Sequence, residues 1–104
     1  MKKNITLAHI SELEVNSSKV ILHDGTAIAL FRLEDGFYAL ENRCPHRGGS
    51  LGEGSIDGCV VTCPWHQWKF DIKSGGSTEN INCNVKTLSV FIEQDLIKLY
   101  HDST

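Results

Sequence analysis

Long apolar runs are missing from this sequence. The longest, Ala27 to Phe31, covers five residues, whereas a membrane-spanning helix needs about twenty. No membrane span is expected. The opening Met1-Lys2-Lys3-Asn4 leads into a mixed segment with no apolar signal core, so the expected compartment is the cytoplasm. An excess of positive charge is missing too: 10 Lys and Arg face 13 Asp and Glu, a formal charge of -3. Binding to nucleic acid by counterion release needs a patch of Lys and Arg, and none is present, so nucleic acid is not an expected partner. Neither G-x-G-x-x-G nor G-x-x-x-x-G-K occurs, which leaves no recognisable nucleotide loop. Proline is scarce, and both copies, Pro45 and Pro64, directly follow a cysteine. A sustained helical period is absent as well, apart from one possible turn near Ser11 to Glu14.

What is present is a β pattern. Turn signals at Asp24-Gly25, Glu34-Asp35-Gly36, Asp57-Gly58, Ser74-Gly75-Gly76 and Gln94-Asp95 separate short segments rich in β-branched and aromatic residues. The spacing predicts strands over Ser18 to Leu22, Thr26 to Leu33, Phe37 to Glu41, Cys59 to Thr62, Lys69 to Ile72, Val85 to Glu93 and Leu96 to Tyr100. The last two form a closing hairpin at Gln94-Asp95. No repeat or linker divides the 104 residues, so the expectation is one all-β domain over residues 1–104, a small antiparallel sandwich or barrel. A chain of this length can bury a core without disulfides. In a reducing compartment its four cysteines are then metal ligands, catalytic groups or small core residues.

Residues 44 to 68 break the β rhythm and hold both prolines, both tryptophans, five of the nine glycines and three of the four cysteines. Within them, Cys44-Pro45-His46 and Cys63-Pro64-Trp65-His66 stand 16 residues apart, each supplying one thiolate and one imidazole. A C-x-H pair on a regular strand would spread its side chains apart, so the ligands are expected on two loops, 44–51 and 63–68. Each proline fixes its φ and biases the cysteine before it away from helix. Gly48-Gly49 lets the backbone turn so that amide N–H groups can face a negative sulfur cluster. Ligand identity alone favours a tetrahedral zinc site, by far the commoner use of two Cys and two His. Zinc fingers, however, draw both cysteines from one knuckle, whereas here each loop carries one of each ligand. Cys59 and Cys83 have no partner at ligand spacing and read as small semi-buried hydrophobes. His9, His23 and His101 lie in polar surroundings, and Trp65 and Trp68 are expected to cover the centre.

At these residues the sequence resembles the Rieske iron-sulfur family, whose signature is C-x-H, a gap of this size, then C-x-x-H. The resemblance implies a 2Fe-2S cluster with Cys44 and Cys63 on the inner iron and His46 and His66 on the outer one. Two ferric ions, two sulfides and two thiolates sum to zero charge, which explains Rieske potentials of about -150 to +300 mV against about -400 mV for plant-type ferredoxins. High-potential members of the family carry a disulfide at positions matching Gly49 and Trp65, and Ser and Tyr hydroxyls at positions matching Trp68 and Phe70. This chain has none of these, which implies a potential of about -150 to 0 mV. With four ligands on each iron, no position is open for substrate, so the implied role is that of a non-catalytic electron-transfer subunit.

Within the family, Cys63-Pro64-Trp65-His66-Gln67-Trp68-Lys69 resembles the C-P-x-H-x-W-K of the small subunit of assimilatory NAD(P)H-dependent nitrite reductase. Cys83-Asn84-Val85-Lys86-Thr87 resembles its C-V-K-T segment with one residue inserted. That resemblance implies a large sirohaem and flavin subunit as partner. Ring-hydroxylating dioxygenase ferredoxins, the alternative resemblance, share the four ligands but commonly show C-P-L-H-x-G-x-F and imply instead an oxygenase and a ferredoxin reductase; Trp68 favours the nitrite reductase resemblance.

Overall fold

The computed structural model describes residues 2–23, 25–42, 50–64, 68–78 and 84–102. Strand β1 (Lys2–His9) leads through a 3-10 turn (Ile10–Glu12) into β2 (Ser17–His23), β3 (Thr26–Leu33) and β4 (Gly36–Glu41). A second 3-10 turn (Leu51–Glu53) precedes β5 (Ser55–Asp57), β6 (Val60–Thr62) and β7 (Lys69–Asp71), and β8 (Thr87–Leu88), β9 (Val90–Glu93) and β10 (Leu96–Asp102) complete the chain order. The fold is all-β, as expected, and every strand pairing is antiparallel. Three sheets form, in the orders β1-β10-β9, β2-β3-β4-β8 and β5-β6-β7.

The four-stranded sheet is the middle layer, and β3 shows why. Its residues alternate between two cores: Ala29, Phe31 and Leu33 belong to one, Ile28 and Leu30 to the other. A strand buried on both faces reads as a continuous apolar run, and Ala27 to Phe31 is that run. The first core joins this sheet to β6, β7 and Leu51, and includes Val61, Cys63, Phe70 and Ile72. The second joins its other face to the outer sheet through Ala8, Ile97 and Leu99. Arg32 ties the first 3-10 turn down by donating to the Leu13 carbonyl at 2.8 Å while its guanidinium lies 5.1 Å from the Phe37 ring centroid.

Three expectations are corrected. Val85 to Glu93 is not one strand. The chain leaves β4 after Leu88, which pairs with Ala39, and joins β10 from Val90, so Ser89 is a crossing point between two sheets. Strand β1 lies outside the predicted set, because Lys2-Lys3-Asn4 masks its β signal; it gains its stability by pairing along β10, with a register shift between Thr6 and Ala8. Strand β5 was also unpredicted. It is three residues long and forms by folding back on β6 through the Gly58 turn, where φ is +62°. The expected closing hairpin is present: Gln94 and Asp95, at φ +53° and +64°, make the mirror-image turn that suits the twist of paired strands.

Candidate metal centre

The hairpin of β6 and β7 positions the one predicted ligand that lies in the described residues. Val61 pairs with Phe70 and Thr62 with Lys69, and one step further the Cys63 amide donates to the Trp68 carbonyl at 2.7 Å. Cys63 therefore stands at the base of the hairpin, with Pro64 to Gln67 connecting its two sides. Its side chain has no solvent exposure and packs in the core that holds Val61, Leu51 and Phe70. Trp68 is half-buried against this same core, its ring centroid 6.5 Å from that of Phe70. Lys69 is exposed.

Described residues flank the first predicted loop, Asn42 before it and Ser50 near its end. The Leu51 amide donates to the Asn42 carbonyl at 2.8 Å, so the chain on either side of residues 43–49 is joined by the backbone itself. Gly54 then runs against the Thr62 carbonyl so closely that a Cβ has no room, which brings this part of the chain onto the β6–β7 hairpin. Gly75, at φ +78°, turns the chain after β7 and accepts from the Val85 amide at 2.7 Å.

Cys44, His46 and His66, together with Arg43, Arg47, Gly48, Gly49, Trp65 and Cys83, lie outside the described residues. Among the described residues no three His, Cys, Asp or Glu side chains converge as a metal site. Cys59 is half-buried, as expected, and its thiol faces Asp71 Oδ2 at 3.7 Å. Asp71 Oδ1 meanwhile accepts from the Lys73 and Ser74 amides at 2.8 and 3.0 Å and fixes the turn after β7. His9 is exposed and caps the first 3-10 turn, accepting from the Ser11 amide at 3.1 Å, whereas His23 is half-buried. Sequence reasoning passed over Asn42, whose buried carboxamide contacts Ser50 and Gly52; a lone Asn gives no signal until its partners are known.

The electrostatics of the described surface are those of exposed pairs. The Asp35 carboxyl is held below its ordinary range, first by the hydrogen bond from the Lys73 ammonium. Lys73 is correspondingly raised by Asp35, and its ammonium lies 5.5 Å from the Tyr38 ring centroid.

A thiol buried in an apolar shell at the foot of a loop suits a metal-bound thiolate, because metal ligation neutralises a charge that burial alone would make costly. Cys63, the one predicted ligand among the described residues, is thus chemically compatible with an iron-sulfur centre. The family model of the Rieske [2Fe-2S] domain matches residues 3–96. The chain belongs to the Rieske [2Fe-2S] family. The cofactor of this Rieske domain is a 2Fe-2S cluster, and the chain is a Rieske-type electron-transfer protein. Among its relatives is the ferredoxin component of the naphthalene 1,2-dioxygenase/salicylate 5-hydroxylase systems of Ralstonia sp, 33% identical over 94 residues, covering 89% of this chain and 88% of that protein. The cholesterol 7-desaturase nvd of Hemicentrotus pulcherrimus is 31% identical over 110 residues, which cover 94% of this chain but only 24% of the desaturase. In structure the Rieske chain resembles a Sphingomonas yanoikuyae B1 ferredoxin, with TM-score 0.87, 22% identity and coverage of 96% of this chain and 100% of the other. It also resembles a Mycobacterium tuberculosis protein described as an NADH-dependent nitrite reductase small subunit, with TM-score 0.90, 20% identity and coverage of 100% and 99%. Identities this low establish the shared fold alone. Among the described residues no helix is long and apolar enough to cross a membrane.

Proposed function

We propose that this chain is a ferredoxin of the cytoplasm, a single Rieske domain over residues 1–104 that carries one electron at a time between a reductase and a terminal oxygenase. Cys44 and Cys63 hold the inner iron, His46 and His66 the outer. When bound, the cluster supplies one-electron storage. Of these residues, Cys63 is closed off from water by the core around it. The similarity along 88% of the Ralstonia ferredoxin component carries this reading, since it extends well beyond the ligand motifs. Exposed Lys69, with Arg43 and Arg47 in the sequence, favours an acidic docking patch, an attraction that weakens as salt rises.

A specific observation favours a second partner. Trp68-Lys69 after the second motif and the Cys83 to Thr87 segment match the small subunit of NAD(P)H-dependent nitrite reductase, in which a large sirohaem and flavin subunit reduces nitrite. Trp68, the residue that distinguishes the two groups, packs onto the core that holds Cys63. Affinity capture of the tagged holoprotein from its source cells grown with nitrate or nitrite separates the two. Recovery of an oxygenase or a flavin ferredoxin reductase supports the ferredoxin reading. A stoichiometric sirohaem protein would overturn it in favour of the second.

A further inference from the structure

Asn42 is the one polar residue in the buried set among the described residues, at 7% exposure, and all its hydrogen-bonding groups find partners. Its amide donates to the Ala27 carbonyl at 3.0 Å and its carbonyl accepts from the Leu51 amide at 2.8 Å. In the side chain, Nδ2 lies 2.8 Å from Ser50 Oγ, and Oδ1 accepts from the Gly52 amide at 2.7 Å. The Gly52 amide can only donate, so the oxygen must face it and the NH2 must face the hydroxyl. Three of the four bonds therefore reach residues 50–52, across the segment that holds the first motif. Gly52 belongs to the same arrangement: a Cβ there would sit 2.5 Å from Val20 Cγ2 and 3.0 Å from Asn42 Oδ1. Leu51, between the two side-chain partners, is fully buried in the core that contains Cys63.

We infer that Asn42 is a positioning residue for the metal centre, locking the chain before Cys44 to the chain after Gly49 and, through Leu51, to the core around Cys63. The inference rests on the proposed reading of Cys44 and His46 as ligands. Drawing the ends of a loop together costs entropy, and protein groups here supply that closure, so the metal need not. Without the carboxamide, one backbone bond from Leu51 to Asn42 remains across the segment, and residues 50–52 are no longer held to Asn42 by a buried side-chain network. A purely structural Asn42 would instead lower thermal stability and leave the properties of the centre unchanged.

The test uses holoprotein as purified: wild type, Asn42→Ala, Asn42→Asp, Ser50→Ala and Cys44→Ser. Iron and labile sulfide are counted, cluster loss to excess chelator is followed well below the unfolding temperature, and the reduced proteins are compared by EPR. Asn42→Ala should lose its cluster about tenfold faster than wild type, the usual scale for removing a supporting group around a metal, with broadened EPR lines. Asn42→Asp keeps an acceptor for the Gly52 amide and can accept from the Ser50 hydroxyl, so it should remain within about twofold of wild type. An Asn42→Ala protein with wild-type cluster loss and unchanged EPR, even if it melts earlier, overturns the inference. If Asn42→Ala fails to fold, Ser50→Ala decides: loss a few-fold faster supports the lock and a wild-type rate overturns it. Cys44→Ser tests the underlying reading separately. A wild-type cluster in that variant would remove Cys44 as a ligand and the inference with it, whereas loss in Cys44→Ser beside a wild-type Asn42→Ala refutes the lock alone.

Discussion

Phe70 and Trp68 set the surroundings of Cys63 in different ways. Phe70 is fully buried and fills the core beneath the thiol, while Trp68 is half-buried at its margin. Neither carries a hydroxyl, and an O–H bond to sulfur stabilises the reduced, more negative cluster. Trp68→Ser combined with Phe70→Tyr should therefore raise the midpoint potential, on the order of 50 mV if the new bonds together contribute about 1 kcal/mol to the reduced state. Redox titration decides; a potential that stays put or falls, with the cluster intact, contradicts the expectation that missing hydroxyl donors lower the potential. Leu51 contributes by packing. Its truncation in Leu51→Ala should destabilise the fold by about 2–5 kcal/mol through lost burial and a residual cavity, measured by urea unfolding. The Rieske family was legible in the sequence from its two Cys/His motifs, because ligand chemistry fixes residue type and spacing. Asn42 was not, because its role depends on Ser50 and Gly52, eight and ten positions away, meeting it in space.

Among the elements, the β9–β10 hairpin carries the most readable turn. Gln94 and Asp95 both adopt positive φ without being glycine, a conformation that Asn-Gly accepts at much lower cost. Replacing the pair by Asn-Gly should stabilise the protein by about 0.5–1 kcal/mol, raising Tm by several degrees for a domain of this size. A calorimetric Tm at or below wild type would show that the native side chains make compensating contacts. The turn was legible because polar residues sat between two β-rich segments. The crossing at Ser89 was not: Thr87 to Glu93 keeps β propensity throughout, and only the register with β4 on one side and β10 on the other divides it. Strand β1 escaped for the opposite reason, since pairing with β10 overrides a polar opening.

In the molecule as a whole, one four-stranded sheet separates a core facing the outer sheet from a core facing the β6–β7 hairpin that leads into Cys63. Lys73 and Asp35 join the two parts at the surface, linking the turn after β7 to the turn between β3 and β4. Asp35 has a lowered pKa in the folded protein, so its contribution is present above the unfolded value, near pH 4, and is lost as pH falls through the lower folded one. Lys73 has a raised pKa, so its contribution is complete below about pH 10 and is lost as pH rises through the folded value. The pair is fully exposed, so its effect is small and screened by salt. Asp35→Asn should lower Tm slightly at neutral pH and low salt, with the difference from wild type closing in strong salt and in acid below both carboxyl pKa values. A Tm difference that persists unchanged in acid would assign the loss to packing.

The central claim is that two thiolates and two imidazoles of this chain share one 2Fe-2S cluster, and EPR of the anaerobically reduced protein, with and without ¹⁵N-histidine, tests it most directly. The account predicts a rhombic signal with average g of about 1.9 and couplings to two histidine nitrogens that change on labelling. A signal with no nitrogen coupling, as all-cysteine ligation would give, or protein holding stoichiometric zinc and no labile sulfide after anaerobic reconstitution, would contradict it.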